Sequence, residues 1–147
     1  MAVYTSNSLG LLLTTALKYT VGAGIVAAII NAILFAIVGI PADQVVERAG
    51  TTETIGLMNV VMASIIPAAI AGLIFAVIAK FVPNPFLVFN IIAALVFLYT
   101  FFGPLNSIPT ASNQTLILLE VMHVVVGVAV MYALNNMWGA PEQTTTA

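Results

Sequence analysis

Four uninterrupted apolar runs, at residues 19–40, 57–81, 86–102 and 116–134, alternate with short polar breaks along the chain. A helix rises 1.5 Å per residue, so crossing about 30 Å of hydrocarbon takes roughly 20 residues, within a range of ~17–25. All four runs fit that window. None shows the short apolar–polar alternation of a barrel strand. The pattern predicts an all-α fold, an integral membrane four-helix bundle running up-down-up-down. Residues 1–18 form a polar or interfacial segment, 19–134 the transmembrane domain and 135–147 a polar tail.

The breaks set the topology. Residues 9–17 are apolar and either lie at the interface or extend the first span. The first loop holds Asp43, Glu47, Arg48 and Glu53 after Pro41, and 42–48 has room for one or two helical turns. Val82-Pro83-Asn84-Pro85 is so short that the second and third spans must form a tight hairpin. Residues 103–115 are uncharged and rich in Pro, Ser, Thr and Asn. Asn113-Gln114-Thr115 has the form of a glycosylation acceptor, but it abuts the fourth span and reads better as a polar helix start. Lys18 and Lys80 fall on one side and Arg48 on the other, so the excess of cations places both termini in the cytoplasm. Tyr19 and Trp138 fall near that same face, as interfacial aromatic anchors do. No basic stretch precedes Lys18, so the first span is expected to remain as an anchor.

Small residues then suggest how the spans meet. Gly24, Ala28, Ala32 and Ala36 recur every four positions in the first span, and Ser64, Ala68, Gly72 and Ala76 do so in the second. Spans pack in lipid where small residues let backbones approach, so these two stripes predict a close contact between the first two helices. Pro67 removes one backbone hydrogen bond from the second span and is expected to kink it, with Ser64 available to the freed carbonyl.

Composition excludes several function classes. Hydrophobic residues make up 62% of the chain and charged ones 5%, and the net charge is −2. Soluble domains carry about 25% charged residues, so this surface is built for the lipid bilayer. Three scattered cations make no basic footprint, which excludes nucleic-acid binding. The absence of cysteine excludes disulfides and thiolate-ligated metals. One histidine cannot give bis-histidine haem.

The chemistry that remains is a set of polar side chains within the spans. Glu120 and His123 are one turn apart on the fourth helix, and intramembrane ionisable groups are functional candidates by default. The helical rise places Glu120 ~6 Å, His123 ~10 Å, Ser64 ~10 Å, Asn31 ~13 Å and Tyr99 with Thr100 ~3–5 Å below the outer helix ends. The sequence therefore predicts a polar pocket in the outer half, contributed by all four helices, with His123 at its floor. The bland reading is a satisfied polar knot in which His123 donates to Asn31 or a carbonyl and Glu120 reaches the interface. Glu-x-x-His lacks the second such motif and the additional carboxylates of a di-iron bundle. Ser64, His123 and Glu120 nominally supply a hydrolytic set, but adjacent turns do not by themselves create its geometry. No catalytic set, cofactor or metal is expected.

Over residues 21–134 the layout resembles a family of small bacterial four-span proteins catalogued as a domain of unknown function. The resemblance is carried by Gly24-x-x-Ala27-Ala28-x-x-Asn31, by Pro67 with its Ala/Leu-rich continuation and by Pro85-x-x-x-Phe89. Gly103-Pro104-Leu105 and Met122-His123 with Gly127 complete it. It implies four helices and a bacterial cytoplasmic (inner) membrane location, and brings no activity or cofactor. The sequence thus points to a non-catalytic accessory or scaffold subunit partnered by other membrane subunits or by its own copies. The alternative is a small-molecule or ion-binding protein, a transporter or sensor, built around His123.

Overall fold

The structure is a computed structural model that describes residues 8–40, 45–48, 51–101 and 112–139, with side chains at 45–53 and 138–139 left aside. Four helices carry the fold: α1 (Leu9–Val38), α2 (Leu57–Phe81), α3 (Pro85–Phe101) and α4 (Asn113–Gly139). A hairpin of β1 (Val45–Arg48) and β2 (Thr51–Thr54) joins α1 to α2. Most of the third connection with Gly103-Pro104-Leu105, the Trp138 side chain and both polar chain ends lie outside the described residues.

Three of the helices are long and apolar enough to cross a membrane, and only 22%, 28% and 17% of their most apolar windows are buried within the protein (α1, α2 and α4 respectively). Lipid must cover the rest. α3 has 17 residues, about 25 Å, at the lower limit for a span. The first helix starts ten residues earlier than the apolar run suggests, with the Ser8 hydroxyl accepting from the Leu11 N–H at 3.3 Å. Of the two readings of residues 9–17, the structure has the extension. Twenty residues separate Lys18 from Val38, about 30 Å of helix, so exposed Lys18 sits one hydrocarbon thickness from the C-terminal end of α1.

The first loop differs from expectation. Helical turns were expected over 42–48, but Val45 pairs with Thr54, Val46 with Glu53, Glu47 with Thr52 and Arg48 with Thr51 in an antiparallel ladder. Five of these eight residues are β-branched, which lose rotamer freedom in a helix and fit a strand.

The tightest packing joins α1 to α2. A Cβ on Gly24 would lie 2.9 Å from the Ala68 Cβ and 3.2 Å from the Ile65 Cα. One on Gly72 would collide with the Thr20 hydroxyl and lie 3.2 Å from the Ala16 carbonyl oxygen. Thr20 is buried and donates to that carbonyl at 2.9 Å. The whole α2 stripe (Ser64, Ala68, Gly72, Ala76) is buried. The α1 stripe is not: Ala32 is half-buried and Ala36 exposed, while Ala27, Ala28 and Asn31 are buried. A spacing of four drifts 40° per step, so Ala36 stands about 120° round from Gly24 and leaves the seam. Pro67 lies within a continuous α2, and the Ser64 hydroxyl donates to the Val60 carbonyl at 2.9 Å rather than to the carbonyl Pro67 leaves free.

The fourth helix packs mainly on α1, and α1 and α3 do not touch. One apolar cluster gathers around Ala16, Ala68, Phe75, Ala76 and Leu134, toward the Lys18 end of the bundle. A smaller one, Val60, Leu118 and Met122, lies near the outer end. The expected tight hairpin of α2 and α3 closes only at its base: α3 buries just Pro85 and Phe89, and the Phe89 ring meets Phe75 edge-on at 5.5 Å. Above that, Phe97 passes Gly127 of α4, where a Cβ would be 3.6 Å from its ring.

Gly24→Val and Gly72→Val are expected to cost about 1–3 kcal/mol each through overpacking, read as a lower unfolding midpoint in detergent. Gly22→Ala, whose Cβ would meet nothing within 4 Å, is expected to leave the midpoint unchanged or slightly higher.

Candidate functional site: two polar clusters

Asn31 is 1% exposed and lies where three helices meet. Its amide nitrogen donates to the Ser64 hydroxyl of α2 at 3.0 Å and to the Met122 carbonyl of α4 at 3.2 Å. Both donors of the amide are therefore used, and Ser64 passes its own proton to Val60. Of the buried polar atoms in this knot, only the Asn31 Oδ1 has no partner. The knot ties α1, α2 and α4 at one depth, between the two apolar clusters.

Glu120 and His123 do not join it. At 100° per residue, Glu120 stands about 160° round α4 from Met122, on the opposite flank. It lies within about 20° of Gly127, seven residues on, and so belongs to the stripe that faces α3. His123 stands about 60° from Glu120 and makes no hydrogen bond among the described residues. Both carboxylate oxygens of Glu120 are buried and neither has a hydrogen-bond partner.

The remaining predicted members turn away. The Thr100 hydroxyl donates to its own helix, at the Val96 carbonyl (2.9 Å) and the Phe97 carbonyl (3.2 Å). Tyr99 is 84% exposed and points out of the bundle. Its depth also differs from expectation, as the register of α3 against its neighbours shows. With Phe97 beside Gly127 and Phe89 beside Phe75, antiparallel register places Tyr99 near Val125 of α4 and Ile65 of α2. That is ~12–18 Å below the outer starts of α2 and α4, close to mid-membrane. The same register sets Phe101, the last residue of α3, level with His123.

The structure thus brings Asn31 and Ser64 together and separates them from Glu120 and His123. The Met122 carbonyl is the member that sequence reasoning missed, since no side-chain signal marks a backbone acceptor. Among the described residues no three His, Cys, Asp or Glu side chains gather as a metal site. An open groove of about 450 Å³ between the outer ends of α1 and α4 is lined by Leu34, Val38, Gln114, Ile117, Leu118 and Val121. It contains none of the predicted polar residues. At its rim the Thr115 N–H donates to the Ser112 hydroxyl at 3.2 Å, so 113–115 is the capped start of α4.

Asn31→Ala is expected to lower stability by about 0.6–1.7 kcal/mol, the range of interhelical hydrogen bonds in membranes. A double-mutant cycle with Ser64→Ala is expected to return a coupling of about 0.6 kcal/mol, measured by unfolding in detergent.

No curated protein and no solved structure matches the chain. A family model does, over residues 11–139, from the first turn of α1 to the last residue of α4. The chain belongs to that family, DUF6069, a family of unknown function.

Proposed function

We propose that this chain is a non-catalytic accessory subunit of a larger assembly in a bacterial cytoplasmic membrane, and that it docks through α3. The observation that carries this reading is Tyr99. Its phenol stands near mid-membrane, exposed and without a hydrogen-bond partner among the described residues. Tyrosine belongs at the membrane interface, and its hydroxyl finds a partner when it is removed from water. Lipid tails supply no acceptor. A helix of another subunit does, through a carbonyl or a small polar side chain. One and two turns back on the same side of α3, Leu95 and Ile92 are also exposed and give that helix an apolar surface to lie on. α3 suits the task because it makes few contacts of its own. The non-catalytic reading draws on Ser64, whose hydroxyl proton goes to the Val60 carbonyl and not to a base.

A photo-crosslinker at Leu95 in native membranes is expected to yield a discrete adduct with another protein. An adduct of twice the chain mass would make the assembly a homo-oligomer, and labelling of lipid alone would defeat the reading. Tyr99→Phe is expected to weaken co-purification about 3- to 15-fold, the equivalent of one intramembrane hydrogen bond.

A further inference from the structure

Glu120 is half-buried as a residue, yet both of its carboxylate oxygens are buried and neither has a hydrogen-bond partner. What stays accessible is its stem and not its head. A charged side chain in a membrane does the reverse, burying the stem and sending the head toward water. An ionised carboxylate without a donor is too costly to keep in hydrocarbon, and such a group neutralises instead. The burial of Glu120 therefore suits a carboxyl that carries a proton.

A base stands within reach. His123 follows one turn along α4, at the spacing where side chains of one helix meet. It is close enough for its charge to act on the Glu120 carboxylate. Its ring makes no hydrogen bond among the described residues, and its nitrogens, unlike the Glu120 oxygens, keep access to the surface of the bundle. No other titratable group of the described helices faces the pair. Among the described elements α4 packs only on α1, α2 and α3. Lys18, Tyr19 and Lys80 lie on the far side of the Asn31–Ser64–Met122 knot from Glu120, at least ~18 Å beyond it. Tyr132 is ~13 Å past His123 on α4, and Tyr99 of α3 is exposed and turned out of the bundle.

We propose that Glu120 and His123 form a proton-binding site within the membrane, in which the Glu120 carboxyl holds the proton and His123 is the base that loads and unloads it. A turn of the imidazole brings one ring nitrogen to the carboxyl. The O–H bond of Glu120 breaks, an N–H bond of His123 forms, and the pair becomes carboxylate and imidazolium with no change in net charge. The other ring nitrogen then releases its proton to water at the surface of the bundle, and loading runs the same steps backwards. Glutamate and histidine are the groups from which proton relays in membranes are built. The site needs only one helix, so it is separate from the exposed Tyr99 face and does not depend on a docked partner.

Infrared spectroscopy of the full-length chain in lipid vesicles tests the proposal. The wild type is expected to show the C=O band of a protonated carboxyl at neutral pH, and Glu120→Gln to lack it. Transfer to heavy water shifts that band as the carboxyl proton exchanges for deuterium. His123→Gln, which keeps the size and polarity of the side chain but is no base, is expected to retain the band and slow its shift about 100-fold, the lower range of general acid–base assistance. A histidine with a merely structural role would leave the exchange rate unchanged or, by loosening the bundle, raise it. Absence of the Glu120 band at neutral pH overturns the proposal, and so does exchange in His123→Gln as fast as in the wild type. Should Glu120→Gln fail to fold, the wild type is treated with a hydrophobic carbodiimide, which adds to a carboxyl only in its protonated form. Label mapped to Glu120 at neutral pH upholds the site, and none overturns it.

Discussion

Lipid tails are as apolar as leucine, so no hydrophobic force draws these helices together. Contact has to come from close backbone approach or from hydrogen bonds. The chain uses both devices in sequence along one seam. Gly72 and Gly24 bring α1 and α2 so near that a methyl group fits at neither place. Asn31, two turns beyond Gly24, then reaches Ser64 on α2 and the Met122 carbonyl on α4. The second step depends on the first, because an asparagine side chain spans two neighbours only where backbones are already close. α4 is thereby registered against a pair that glycine has set.

The fold of α3 follows from having neither device. Its inner end is held by Pro85 and by the Phe75–Phe89 ring contact, and its outer part by Phe97 against Gly127. Aromatic contacts of this kind contribute about 0.5–1.5 kcal/mol beyond the area they bury. A helix held so lightly exchanges neighbours more readily than α1 or α2. Its described residues run to Phe101, level with His123 of α4. The register of those aromatic contacts places the Tyr99 phenol near mid-membrane.

Much of this was legible in the sequence, and the exceptions have physical causes. The apolar runs mark the helices, and membership in DUF6069 agrees with the family resemblance drawn from Gly24, Asn31, Pro67 and Met122-His123. The α2 stripe reads correctly to its end. The α1 stripe fails at Ala36, because a period of four leaves a 3.6-residue face after three steps. Depth within α3 could not be read, since counting from a loop assumes that each helix spans the membrane fully. The first loop has room for helical turns, but Val45, Val46 and the threonines favour a strand. The single pocket divides in two for a reason already present in the spacing: positions 120 and 122 face opposite flanks of any helix.

The two clusters also differ in donor supply, and this limits what repacking inside the chain can repair. Asparagine brings two N–H donors, and Asn31 commits both; Ser64 and Thr100 commit their single protons to carbonyls. A carboxylate brings none. Turning His123 toward Glu120 supplies one N–H from a neutral imidazole, enough for one of the two orphaned oxygens. The second oxygen needs a donor from a residue other than His123.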